Sequence, residues 1–360
     1  MRHHVLLVCA LLGGSLSVGV LRAQVHAEYA DSIRITRHIP ELGYAVVSAD
    51  SVLELHVLGT KRADRAWPAA EQDRFRIGSN TKTITALIAA QLVHQGKLSW
   101  DTRFFDLFPE MERKARRCYR ELTLRDLLTF RAPLFKYTYT DAVPTRADLT
   151  GSEAEQRRQL AAWGFAHAPQ RSKGSVTYSN LSYVAAGLML EKATGRSYQQ
   201  LVMDLNRALG SNYQFGAPNT ADSTQTWGHD ARLLPEPPMD NFKLAWLESA
   251  GNVNASLNDH ALFVQEVLKA HAGRSAMLSA AEAEDLLFGR ERFALGWWRN
   301  TDASDGRVAE HVGNPGTFLS KVYLHVDAGR AYIIFANVQS DEAAEGMRVL
   351  YDRLIEHYAP

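Results

Sequence analysis

Phe75-Arg76-Ile77-Gly78-Ser79-Asn80-Thr81-Lys82-Thr83-Ile84-Thr85-Ala86-Leu87 changes character half-way along its length. Up to Gly78 it reads as a strand. Beyond Ser79, Ile84, Leu87, Ile88 and Leu92 recur at helical spacing, which predicts a buried helix opened by Ser79 and closed at Gly96. Ser79 and Lys82 then share one helix face and can touch. A serine hydroxyl becomes a useful nucleophile when a neighbouring base takes its proton. Lysine can be that base once burial or nearby cations lower the pKa of its ammonium. Ser-x-x-Lys alone is a common surface accident, but a strand before it, an apolar helix after it and a glycine at the junction make this copy a candidate catalytic pair.

On the N-terminal side, β-rich runs from Gly43 and from Val52 flank an Ala49-Asp50-Ser51 turn and predict a hairpin. On the C-terminal side, helices are predicted over 122–129, 153–165, 181–194, 198–208 and 257–271, separated by loops carrying Pro133, Pro144, Pro169 and Pro235. The chain then turns β-rich, with strands read at 293–298, 318–326 and 331–338 and a closing amphipathic helix from about Glu342 to His357. Strands at both ends around a helical middle predict an α/β fold: one antiparallel sheet assembled from both termini, flanked by helices, with an inserted helical lobe. The sheet region is assigned to 28–78 and 290–360 and the helical region to 79–289, one catalytic unit over 28–360.

Two further clusters carry chemistry. In Tyr178-Ser179-Asn180, a buried tyrosine can relay a proton and an asparagine amide can hold both a lysine and a substrate carbonyl. The structural alternative makes Asn180 only the N-cap of the following helix. In His311-Val312-Gly313, read as opening a strand and followed by Asn314-Pro315-Gly316, backbone N–H groups could face a ligand. His94-Gln95-Gly96 and His271-Ala272-Gly273 share the pattern but sit at helix ends, where glycine and histidine serve as caps.

Composition narrows the classes of function. The 360 residues are 46% hydrophobic and 22% charged, with 40 Lys+Arg balancing 40 Asp+Glu, so no global field draws the chain to nucleic acid. The basic run Arg113 to Arg117 reads as a solvated helix face. Arg2, the apolar run Val5 to Leu12 and small residues before Ala23 or Ala27 predict an export signal over 1–27, hence a periplasmic or secreted protein; membrane association follows only if this segment is not cleaved. Cys118 is then the one cysteine left, and no intrachain disulfide can form. None of the thirteen histidines forms a His-Glu-x-x-His pair, so no metal and no cofactor is expected. No Gly-x-Ser-x-Gly elbow occurs, which argues against an α/β-hydrolase esterase.

The order of strand, Ser79-x-x-Lys82 helix, helical lobe, Tyr178-x-Asn180 and C-terminal His311-x-Gly313 resembles the class C β-lactamases and penicillin-binding proteins, with their carboxypeptidase, D-aminopeptidase and esterase relatives. Gln95-Gly96-Lys97-Leu98-Ser99-Trp100-Asp101, Leu122 to Leu128, Tyr178 to Gly195 and Gly296-Trp297-Trp298 are similar too, so the resemblance spans nearly the whole chain beyond the leader. It implies a serine hydrolase acting on a small-molecule or peptide substrate. Ser79 would be acylated, Lys82 and Tyr178 would share the proton work, and Asn180 would order the lysine and the substrate amide. Ser79 and Asn314 would supply the oxyanion-hole N–H groups. A penicillin-binding or sensor protein of the same fold that does not turn over is the alternative. The sequence departs from the family twice. His311 stands where a lysine is usual, which favours substrates without an essential carboxylate. Thr129-Phe130-Arg131-Ala132-Pro133 replaces the usual His-Thr-Ser-Gly.

Overall fold

The computed structural model describes residues 26–170, 174–237, 242–300 and 306–358. Most of the expected export signal, residues 1–25, lies outside them, whereas His26 and Ala27 belong to a helix over 26–36. The hairpin forms as read, from β1 (Glu41–Ser48) and β2 (Val52–Gly59). With β6 (Trp298–Asn300), β7 (Val308–Gly313), β8 (Leu319–His325) and β9 (Arg330–Ala336), it makes a six-stranded antiparallel sheet in the order β2-β1-β9-β8-β7-β6. The two chain ends meet where β1 pairs with β9.

Period-two alternation decides which side of this sheet each residue feeds. On β1, Ala45 and Val47 pack into a core with Leu257, Ala261 and Val264 of the helix Leu257–His271. Leu42, Tyr44 and Val46 point the other way, against Ala30, Ile33, Met347, Leu350 and Leu354 of the two terminal helices, 26–36 and Asp341–Tyr358. Both faces are therefore covered, which explains a strand that is apolar along nearly its whole length.

The predicted helical middle is present as the helices Thr81–His94, Glu153–Ala166, Asn180–Thr194 and Tyr198–Leu209 beside Leu257–His271. Ser152, Ser197 and Ser256 each accept from the N3 backbone N–H of their helix, so local capping chemistry sets where these helices start. A second, three-stranded sheet, β3 (Arg74–Arg76), β5 (Val253–Ser256) and β4 (Gln214–Phe215), joins the lobe to the segment that leads into the helix Thr81–His94.

Two expectations are corrected. The run 293–298 is not a strand: Phe293 bridges to Trp298 across a tight turn through Gly296, whose φ is +84°, and only Trp298 continues into β6. Nor does His311 open a strand, because His311 and Gly313 lie at the end of β7, which the charged Glu310 and the surrounding turn residues concealed.

Candidate active site

Ser79 sits in a single tight turn, Gly78–Asn80, before the helix Thr81–His94. The turn is pinned to the main sheet: Asn80 Nδ2 donates to Ser320 Oγ at 2.7 Å, and Ser320 Oγ donates to the Ile77 carbonyl at 2.7 Å. Gly78 has φ +50°, and a Cβ there would stand 2.9 Å from the Asn314 backbone nitrogen. At Gly313 a Cβ would run into the Ile77 carbonyl oxygen and Ser320 Oγ. Glycine at both positions lets the Ser79 turn press against the end of β7, so that Ser79 and Asn314 line the same cavity.

Lys82 lies one turn down the helix and is fully buried. Its Nζ is 3.0 Å from Ser79 Oγ, 2.7 Å from Asn180 Oδ1 and 2.6 Å from the Ala250 carbonyl oxygen. It forms no ion pair with any described residue, and burial pushes its pKa well below the ordinary lysine value. Tyr178 donates its hydroxyl hydrogen to Ser79 Oγ at 2.6 Å. Burial pushes the phenol up to about 12, although the bond to Ser79 pulls the other way. The Tyr178 ring is held by Phe130, centroids 4.6 Å apart, and by Trp298, stacked at 6.4 Å. Asn180 is the first residue of the helix Asn180–Thr194, with Ser179 rather than Asn180 at the N-cap position and no side-chain cap hydrogen bond, and its amide oxygen is turned to Lys82.

The structure thus brings Ser79, Lys82, Tyr178 and Asn180 into one hydrogen-bonded group at the floor of a cavity of about 210 Å³, with Asn314 on its wall. His311, expected beside the substrate and partly charged, is placed elsewhere. It is 1% exposed and does not line the cavity, and its Nδ1 bonds the Gly296 carbonyl at 2.7 Å. Burial, aided by Lys82, pushes its pKa down to about 3, so the ring is neutral. Sequence reading missed five contributors. The Ala250 carbonyl is a backbone atom that no side-chain motif announces. Phe130, in the loop that departs from the family, has φ +55° and forms the shelf under Tyr178. Tyr139, Leu244 and Val312 line the cavity. Among the described residues no group of three or more His, Cys, Asp or Glu side chains could hold a metal ion.

The family model described as Beta-lactamase matches residues 22–355. The chain belongs to the beta-lactamase family. A likeness to Protein flp of Staphylococcus aureus (strain MW2) runs at 21% identity over 342 residues, 89% of this chain and 64% of that protein. The Unguisins hydrolase ungD' of Aspergillus campestris is 22% identical over 336 residues, 87% of this chain and 61% of its own. The beta-lactamase-family chain therefore spans less than two thirds of the length of these curated relatives. Among solved structures, the Beta-Lactamase/D-Alanine Carboxypeptidase from Pseudomonas syringae superposes with a TM-score of 0.74 at 18% identity, covering 95% of this chain and 100% of that one. Its fold is the beta-lactamase/transpeptidase fold.

Proposed function

We propose that this beta-lactamase-family protein is a serine hydrolase that cleaves an amide, peptide or ester through an acyl-serine at Ser79. One observation carries the reading: Ser79 Oγ lies within proton-transfer reach of both Lys82 and Tyr178, in a group sealed from below. Hydrogen counting supports roles for each. Asn180 Oδ1 and the Ala250 carbonyl are acceptors, so they take the two N–H groups of a neutral lysine and leave its lone pair for the Ser79 hydroxyl. Tyr178, with its raised pKa, stays protonated and already donates toward Ser79.

Lys82 then takes the Ser79 proton as Oγ attacks the substrate carbonyl. The N–H groups of Ser79 and Asn314 stabilise the oxyanion, each such donor contributing about 3–4 kcal/mol. Tyr178 passes its proton to the departing amine or alkoxide and is reprotonated from Lys82. Water, deprotonated by the same pair, hydrolyses the acyl-enzyme. Relatives named as hydrolase and beta-lactamase agree with this reading at the level of reaction class.

The test is covalent labelling by a fluorophosphonate together with turnover of a chromogenic cephalosporin, a p-nitrophenyl ester and a D-amino-acid amide. Ser79→Ala is expected to abolish both labelling and turnover, and Lys82→Ala to suppress acylation in a folded protein. Labelling that survives Ser79→Ala removes the proposed nucleophile. A burst without sustained release on every reactive substrate identifies the sensor instead.

A further inference from the structure

β7 alternates as any strand must, and its parity is fixed by contacts: His311 and Gly313 face the interior, so Val312 faces out. Outward here means into the cavity. Val312 is 43% exposed, a large apolar side chain left open in the cavity that Ser79 also lines, together with Leu244, Tyr139 and Pro315. Two of the polar oxygens at this end of the cavity already have partners. Asn314 Oδ1 accepts from the Gly316 N–H, and the amide group of Asn180 is turned to Lys82. None of the described residues lining the cavity carries a charge.

We propose that Val312 is a specificity-determining residue, selecting substrates that present an uncharged, apolar group against β7 next to the scissile carbonyl and disfavouring those that place a carboxylate there. The inference rests on the acyl-serine reading and names its substrate class. An ionised carboxylate set against the Val312 methyls is stripped of water on that side and gains no donor from that side chain in return. A neutral alkyl group in the same place buries apolar surface on both partners.

Two ester pairs test it, each rate divided by the rate of simple alkaline hydrolysis. On the acyl side, p-nitrophenyl butyrate is compared with p-nitrophenyl hydrogen glutarate; on the leaving-group side, phenyl acetate with 3-acetoxybenzoate. The parent protein is expected to favour the neutral member by about tenfold or more in kcat/KM in at least one pair. In that pair, Val312→Lys is expected to raise the carboxylate-to-neutral ratio by about tenfold, with Val312→Thr intermediate and melting temperatures close to the parent's. A parent that prefers the carboxylate esters, or ratios unmoved by Val312→Lys in both pairs, overturns the proposal while leaving the hydrolase reading intact. Failure of fluorophosphonate labelling together with failure to cleave any ester overturns both.

Discussion

Replacing Gly78 by alanine probes the contact on which the proposed oxyanion site depends. The added methyl meets the Asn314 nitrogen and Pro315 Cδ at 2.9 Å, about 0.5 Å short of the 3.4 Å at which such contacts become ordinary. Both neighbours belong to the chain that ends β7, so neither can swing away as a side-chain tip would. Alanine must also adopt φ near +50°, a left-handed conformation that costs a non-glycine residue about 1–2 kcal/mol. Two separable effects follow. Stability falls by about 1–3 kcal/mol, from backbone strain and overpacking together. The Ser79 and Asn314 nitrogens separate by about half an ångström, which takes at least one donor outside the tolerance of a preorganised site. Since losing one oxyanion donor lowers kcat by about 10²–10³ and this donor is displaced rather than removed, kcat/KM should drop roughly ten- to a hundredfold. The assay is p-nitrophenyl acetate hydrolysis well below the melting temperature, read beside a thermal melt. Gly43→Ala is the control: its methyl would lie 3.6 Å or more from its neighbours, and it sits in β1 away from the cavity. A folded Gly78→Ala protein with kcat/KM within twofold of the parent would refute the placement of the oxyanion site between the turn and β7.

The pH profile of kcat/KM should show a single acid limb, rising as Lys82 loses its proton at a pKa well below the ordinary lysine value, with no alkaline limb from Tyr178 below about pH 11, because the phenol sits near 12; a fall between pH 8 and 10 would show a required proton donor titrating there and refute the pairing of a neutral Lys82 base with a protonated Tyr178. Glu54 is buried, which alone would raise its pKa, but hydrogen bonds from His56, Tyr44, Tyr358 and His26 outweigh this and hold it at about 2. Its stabilisation is therefore present above the unfolded value near 4.5 and lost as pH falls toward 2, so Glu54→Gln should lower stability at pH 7 by up to about 3 kcal/mol and converge with the parent in acid, measured by urea unfolding. Glu41 goes the other way: burial, reinforced by Asp73, raises its pKa well above 4.5, so its contribution is intact below that value and lost as pH rises, and Glu41→Gln should gain in melting temperature relative to the parent between pH 5 and 8. Were the expected leader removed, only a cut after Ala23 would keep His26, whose Nδ1 lies 3.1 Å from Glu54 Oε2 in the core; N-terminal sequencing of a processed chain should then give Gln24 first, and Glu28 first would refute this.

How much of this was legible depended on whether the deciding interaction is local along the chain. Ser79 and Lys82 are joined by helix geometry, and the Tyr178-to-Asn180 segment by the start of one helix, so residue type and spacing sufficed to nominate them. Ala250 and Phe130 were illegible for the opposite reason. One acts through a backbone carbonyl delivered from 168 positions away, the other through a ring placed by a left-handed residue in a loop without periodicity. β7 lies between these cases. Its turn residues hid the part of the strand before His311, and His311 was read as facing the ligand because it stands where the family carries a lysine. Yet the strand holds a parity constraint that needs no partner to read. Gly313 is the residue that must face inward, since only there does losing the side chain permit the approach to Ile77. Period two then sends His311 inward as well, to the Gly296 carbonyl, and turns Val312 toward the cavity. A lysine in place of His311 would be forced into that same interior slot beside Lys82, where a second cation would further depress the Lys82 ammonium and lower the Tyr178 phenol toward use as a base. A neutral imidazole leaves the phenol protonated, so one inward-facing residue bears on which group takes the proton and its outward-facing neighbour on what is cleaved.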